Sequence, residues 1–256
     1  MRVLVTNDDG VSSVGLHAVA RRLAEVGHEV VVVAPADDAS GSGTGLGLLH
    51  AGSSIVSDRV ELPGLGDIEV HAMAAPPAMC VLAASSGLLG EPPDAVVSGV
   101  NLGPNLGRAV LHSGTVGAAL TAHLAGLPGV AVSAVRPNDE TLVAAAELAE
   151  RVLALHDEWQ GLVVNLNVPS EPKPALRCAR LAEHGAIRLA AGHDRSVTVE
   201  VDAGPSAPEP AAAGWPTDVS LVQRHFATLT LLSGIGVGGD TDQAERLVDT
   251  VTAAAS

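Results

Sequence analysis

The sequence predicts an α/β protein: a Rossmann-like, doubly wound and mostly parallel sheet with a C-terminal antiparallel β excursion. Three observations carry this. Short β-branched apolar runs alternate with helical stretches up to Val168. The first strand, helix and second strand close within about 35 residues, the length of a right-handed βαβ unit. From Pro169 the alternation breaks into proline, short alternating segments and an Ala-Pro stretch.

Arg2 to Thr6 is a short apolar strand that runs into Asn7-Asp8-Asp9-Gly10. Val14 to Val26 follows with Val14, Val19, Leu23 and Val26 opposed by Arg21, Arg22 and Glu25, an amphipathic helix ended by Gly27. Glu29 to Ala34 is a buried second strand, and Pro35 to Gly47 a long loop rich in Asp, Ser and Gly. Ser54 to Leu62 and Asp67 to Met73 form a hairpin or a pair of edge strands, and Pro76-Pro77 open a helix to about Leu89. Asp94 to Ser98 is a buried strand delivering the loop Gly99 to Gly107. After it come a small-residue helix (Ser113 to Ala125), a strand (Gly129 to Val135), a helix from Asn138 to about His156 and a strand (Leu162 to Val168). Beyond the excursion, Thr217 to Leu232 ends in a returning strand and Asp240 to Ala254 is a last amphipathic helix. The expected organisation is a Rossmann-like core (1–168), an antiparallel excursion leaving the main sheet (169–216) and a returning strand with a C-terminal helix (217–256).

The 256 residues, 47% of them apolar, suffice for a sizeable core. No run approaches the eighteen or so apolar residues of a membrane span, and Asn7 to Asp9 interrupt any signal-peptide core, so a cytoplasmic protein with no membrane partner is expected. Two cysteines, Cys80 and Cys178, are too few for a disulfide framework and read as free thiols. A formal charge of −15 with 14 basic residues leaves no footprint for a nucleic-acid polymer. An anionic substrate would need local neutralisation, by a metal ion or by helix N-termini.

The acidic pair Asp8 and Asp9 ends the first strand, where open α/β sheets place ligands. Neighbouring residues of a strand face opposite ways, so both carboxylates serve one site only if the chain turns at Asn7 or Asp8, which Gly10 permits. Such a pair suits Mg²⁺ or Mn²⁺ completed by neutral oxygens, and equally suits a turn that caps the next helix. Ser40, Ser42 and Asn101, from loops at the same edge, would supply those oxygens. His112-Ser113-Gly114-Thr115 stands immediately before a helix, as a phosphate cradle or as a plain Ser N-cap. His112 is the one histidine placed near the site. Three patterns are discounted. Gly234 to Gly239 fits G-x-G-x-x-G with too little chain after it, residues 41 to 47 lack a P-loop lysine, and neither H-E-x-x-H nor G-x-S-x-G occurs.

These blocks together resemble the SurE family of survival-protein nucleotidases: Asn7-Asp8-Asp9-Gly10, Val33-Ala34-Pro35 leading to Ser40-Gly41, Ser98 to Gly107, Ser113-Gly114-Thr115-Val116, Asn165-Leu-Asn167-Val-Pro169 and Thr217-Asp218. The resemblance implies a 5′-nucleotidase, a metal-dependent phosphomonoesterase on nucleoside 5′-monophosphates, with 3′-monophosphates or short polyphosphate as further substrates. It implies one Mg²⁺ or Mn²⁺ per subunit on Asp8, Asp9, Ser40 and Asn101, with Asp8 and Asp9 catalytic. Ser113, Gly114 and Thr115 would bind phosphate, Asn105, Arg108 and His112 would form the substrate mouth, and the chain would be a homodimer or homotetramer. Against the family pattern, Ala75-Pro76-Pro77-Ala78-Met79-Cys80 lacks an acidic residue, Arg108-Ala109 replaces an acidic pair and His112 replaces an aromatic. Two other readings stand beside it: a nucleotide-sugar glycosyltransferase-like enzyme, suggested by Arg2 to Thr6 with Gly27-His28-Glu29-Val30, and a non-catalytic nucleotide- or metal-binding module.

Overall fold

A computed structural model of the chain describes residues 1–47, 50, 52, 54–183, 187–191, 197–201 and 215–234. Strand β1 (Arg2–Thr6), helix α1 (Val14–Glu25) and strand β2 (Glu29–Pro35) form the opening βαβ unit, with β1 and β2 parallel. Gly27, at φ 90°, takes the left-handed conformation that lets the chain leave α1. A short edge pair follows, β3 (Ser57–Arg59) antiparallel to β4 (Glu69–Met73), then α2 (Pro77–Ser85) and β5 (Ala95–Asn101). A 3₁₀ turn (Gly107–His112) leads into α3 (Gly114–Leu124), and β6 (Gly129–Val135), α4 (Asp139–Leu153) and β7 (Leu162–Pro169) complete the alternation. Asn138 caps α4, its side chain accepting from the Thr141 N–H at 2.9 Å. The chain ends its described course with β8 (Lys173–Cys178), β9 (Ile187–Ala191), β10 (Val197–Val201), α5 (Asp218–Val222) and β11 (Phe226–Ser233).

The main sheet has nine strands in the order β3-β4-β2-β1-β5-β6-β7-β11-β8, and its run from β4 to β7 is parallel throughout. Successive residues feed opposite cores, as a strand buried on both faces requires. Val3 and Val5 join Leu16, Val19 and Leu23 of α1 and Leu142 of α4, while Leu4 joins Cys80 and Val81 of α2 and Ala118 of α3. Helices therefore cover both faces. Each fully buried Val or Leu contributes about 1.5–3 kcal/mol, so this double burial fixes the register of the central strands. From β1 the chain crosses to β2 on one side, and from β5 it crosses to β6 on the other. The carboxyl ends of β1 and β5 thus flank a topological switch point, the crevice where such sheets bind ligands.

Some elements differ from the sequence expectation. Helix α2 stops at Ser85, four residues before Leu89, because Gly87 turns to φ 76° and the Ser86 hydroxyl donates to the Ala83 carbonyl. The segment expected to leave the sheet at Pro169 first adds β8 to its edge, parallel to β11, and only then forms the antiparallel β9–β10 pair. The Ala-Pro stretch 204–214 and the helix expected over Asp240 to Ala254 lie outside the described residues. Cys80 is buried, Cys178 is exposed and both are free; burial pushes the Cys80 thiol up to about 12.

Candidate active site

The loop after β1 turns at once. Asn7 donates through Nδ2 to the Gly10 carbonyl at 3.1 Å, bracing a turn that sends the two following carboxylates to different walls of one cleft. Asp8 points at the start of α3: its Oδ2 accepts from the Gly114 N–H at 3.0 Å and its Oδ1 from the Thr115 hydroxyl. Asp9 points towards the loop after β5, where its Oδ2 accepts from the Leu102 N–H at 3.3 Å. The loop after β2 is tied to the same turn, since Ala39 N–H donates to the Asp8 carbonyl at 2.7 Å and Val11 N–H to the Pro35 carbonyl at 2.8 Å.

Two glycines make this approach possible. A Cβ on Gly114 would stand 2.8 Å from Asp8 Oδ2 and 2.5 Å from Ser42 Oγ, and one on Gly117 would stand 2.0 Å from the Gly43 carbonyl oxygen. The Ser42 hydroxyl is buried there, and among the described residues it has no hydrogen-bond partner.

The cleft has a volume of about 340 Å³ and is lined by Asp8, Asp9, Ser40, Asn101, Asn105, His112 and Ser113 among others. A larger hollow of about 650 Å³ opens at the opposite edge of the sheet, by Met1, Asp94, Pro128 and Leu162, at the amino ends of β1, β5, β6 and β7. The smaller cleft is the better candidate. Convergent polar groups at a switch point, and not size, distinguish a site of chemistry.

Among the described residues no Lys or Arg lines this cleft. Burial raises the Asp8 carboxyl above its usual range, against hydrogen bonds that pull it down, and Asp9 is pushed up to about 6 by burial, then by the charge of Asp8 and that of Asp38. Two carboxylates held together without a cation are electrostatically incomplete. The remaining donors are neutral oxygens. Asn101 donates its Nδ2 to the Gly103 carbonyl at 2.8 Å, which leaves its Oδ1 as the side chain's uncommitted acceptor. The Ser40 hydroxyl donates to Asp38 Oδ1 at 2.6 Å, keeping lone pairs of its own oxygen, and that bond lowers the Asp38 carboxyl. A set of two carboxylates, a hydroxyl and an amide oxygen fits a hard divalent cation. Among the described residues no group of three or more His, Cys, Asp and Glu could hold a metal, so such a cation would depend on these neutral oxygens.

The structure brings Asp8, Asp9, Ser40, Asn101, Asn105, His112 and Ser113 to the cleft, with Gly114 and Thr115 behind Asp8. Ser113 acts as the N-cap of α3, its hydroxyl accepting from the Val116 N–H at 3.1 Å. Arg108 is exposed and not among the lining residues; its backbone N–H donates to the Ala182 carbonyl at 3.0 Å. Ser133, not singled out in the sequence, and Asn165 and Asn167, quoted there only as part of a family block without a role, hold Asn105 in place. Its Nδ2 donates to Ser133 Oγ at 2.8 Å, its N–H to Asn167 Oδ1 at 2.8 Å, and its carbonyl accepts from Asn165 and Asn167 at 3.0 and 2.9 Å. Polar side chains two apart in the otherwise apolar β7 were the available signal, because i and i+2 share a face.

Fold and cleft together define a Rossmann-like α/β protein whose switch point carries an oxygen-donor site built on two carboxylates. Residues 3–191 match the family described as Survival protein SurE. The chain is 37% identical to a 5′-nucleotidase SurE of Synechococcus elongatus, over 91% of this chain and 93% of that one. It is 39% identical to a 5′-nucleotidase SurE of Prochlorococcus marinus, over 90% and 89%. The crystal structure of a SurE protein from Aquifex aeolicus superposes with a TM-score of 0.74, covering 98% of this chain and 100% of that one at 24% identity. This chain belongs to the SurE family.

Proposed function

We propose that the chain is a metal-dependent 5′-nucleotidase, a phosphomonoesterase that hydrolyses nucleoside 5′-monophosphates to nucleoside and phosphate, with 3′-monophosphates or short polyphosphate as further substrates. The observation that carries the reading is the Asp8–Asp9 pair in a cleft lined, among the described residues, by no Lys or Arg. The printed activity of the relatives supports the substrate class.

Phosphomonoester hydrolysis needs charge neutralised at the transferring group, an in-line nucleophile and a proton for the leaving oxygen. Asp8, Asp9, Ser40 and Asn101 would hold one Mg²⁺ or Mn²⁺, which when bound neutralises phosphate charge and promotes ionisation of water. Asp8 is oriented for its role by Thr115 and by the Gly114 N–H, so its carboxylate is fixed before substrate arrives. Ser113, Gly114 and Thr115 would bind the phosphate at the positive end of α3, sharing with it the donors that Asp8 uses in this structure. Asn105 and His112 line the mouth and orient the rest of the substrate, with Arg108 at its outer rim. The protein would work in the cytoplasm as a homodimer or homotetramer; among the described residues no helix is long and apolar enough to cross a membrane.

A phosphate-release screen over nucleoside 5′- and 3′-monophosphates, sugar phosphates and short polyphosphate, each with Mg²⁺ and with Mn²⁺, tests the reading. Turnover is expected for the 5′-monophosphates above the sugar phosphates. Release from none of them would overturn it.

A further inference from the structure

In a chain of net charge −15 with 14 basic residues, three of the cations gather on one aromatic ring. Lys173 Nζ lies 4.7 Å from the Phe226 ring centroid, and the guanidinium carbons of Arg177 and Arg224 lie 5.2 and 5.5 Å from it. All three side chains are exposed, and among the described residues none of them forms an ion pair. Glu171, the carboxylate nearest in sequence to Lys173, makes no such pair either. Like charges this close repel, and cation–π attraction at an exposed ring offsets only part of that.

The backbone builds the cluster. Strand β8 pairs Lys173 with Phe226 and Arg177 with Thr228, so four steps of β8 span two steps of β11. The register shifts between Phe226 and Thr228, and Lys173 and Arg177 both reach the one ring. On the other strand Arg224 precedes His225, a non-glycine residue at φ 62°, and the chain turns there to enter β11. His225 in turn is held by its Nδ1 against the Ser170 carbonyl at 3.2 Å. Two local departures from regular structure therefore converge cations that form no ion pair among the described residues.

We propose that Lys173, Arg177 and Arg224 form a binding site for a multivalent oxyanion of the phosphate class, separate from the Asp8–Asp9 cleft. Two guanidinium forks and an ammonium match the several oxygens of a phosphate or pyrophosphate group, and Phe226 is the post that keeps them converged. The site stands on the same edge of the sheet as the cleft: Thr228 of β11 lies opposite Asn167, which holds Asn105 at the cleft. None of the three cations lines the cleft itself. The phosphate chemistry has two sources, free inorganic anions or the phosphate of a nucleotide.

Calorimetric titration of the full chain in chelator and low salt tests this, with orthophosphate, pyrophosphate and a nucleoside 5′-monophosphate as separate arms. Pyrophosphate is expected to bind at one site, and its affinity to fall about tenfold in Arg177→Gln, since a charge-assisted hydrogen bond is lost. It is expected to fall further in Lys173→Gln/Arg177→Gln/Arg224→Gln and to weaken with added salt, while Asp8→Asn, which disables the cleft, leaves it unchanged. Tighter binding of the monophosphate than of orthophosphate assigns the site to nucleotides, and the reverse assigns it to free anions. Equal pyrophosphate affinity in wild type and Arg177→Gln, or no binding by wild type at low salt, would overturn the proposal. The single variant decides the matter if the triple variant does not fold.

Discussion

Asp8 and Asp218 are both buried carboxylates, 4% and 0% exposed, and both accept backbone N–H groups at the start of a helix. Asp218 takes the N–H groups of Gly107, Ala182 and Val219 at 2.7, 2.9 and 2.8 Å, clamping the 3₁₀ turn, the chain after β8 and α5 together. Burial raises its carboxyl and those donors pull it down, as at Asp8. The difference lies in what stands beside them. Among the described residues no second carboxylate acts on Asp218, which does not line the cleft, so its bonds end within the fold. Asp8 has Asp9 next to it, its charge helps raise the Asp9 carboxyl, and among the described residues no Lys or Arg lines their cleft, so this pair faces solvent-accessible space and not the fold. A buried carboxylate is therefore read by its neighbours, and burial alone does not mark function.

The largest expected effect separates the two by activity. Asp8→Asn should lower phosphate release by about 10³-fold, the loss typical of a preorganised charge at the reacting group, with the fold retained by circular dichroism. Asp218→Asn should do the opposite. By denaturant titration it should lose about 2–4 kcal/mol, because N–H groups now face an amide whose own N–H₂ needs acceptors, while turnover of the folded fraction stays near wild type. If the two variants behaved alike, the contrast between them would fail.

Metal and pH sharpen the same contrast. Asp9 is raised from 3.8 to about 6, so in the ion-free protein it favours folding below pH 3.8, and that contribution is lost as pH rises through 6. A divalent ion that binds the ionised pair should reverse this, adding about 2.7 kcal/mol at a concentration 100 times its Kd. The rise in Tm on adding Mn²⁺ should be large at pH 7.5 and small at pH 5. In Asp218→Asn the rise should persist, and in Asp8→Asn it should vanish. The smallest effect is expected at Ser113→Ala, which removes the N-cap of α3 at a cost of about 1 kcal/mol, measured by thermal melting.

Much of the core was legible because periodicity there has one reading. The β-branched runs of β1, β2 and β6 and the amphipathic faces of α1 and α4 are set by local pattern, and the glycine after α1 marks its end. The edge was harder. Prolines at 172 and 174 disguise β8, which an edge strand tolerates because its outer N–H groups need no partner. β5 runs on to Asn101 through Gly99 at φ 130°, although glycine and the loop composition beyond it argued for an end at Ser98. At the site, residue types and their place at strand ends pointed to the acidic pair and its oxygen neighbours. The partnership of Asp8 with Thr115 joins residues 107 positions apart, and the role of Asp218 depends on donors from three separate segments. Such pairings are set by how the loops meet and leave no trace in spacing.

The central claim, that the Asp8–Asp9 cleft is a metal-dependent phosphomonoesterase site, is tested most directly by one cycle of chelation and restoration. Phosphate release from a nucleoside 5′-monophosphate is followed with Mn²⁺, after excess chelator, and after Mn²⁺ is returned. The account predicts turnover that stops on chelation and recovers when the ion is restored. Full activity in chelator would contradict it.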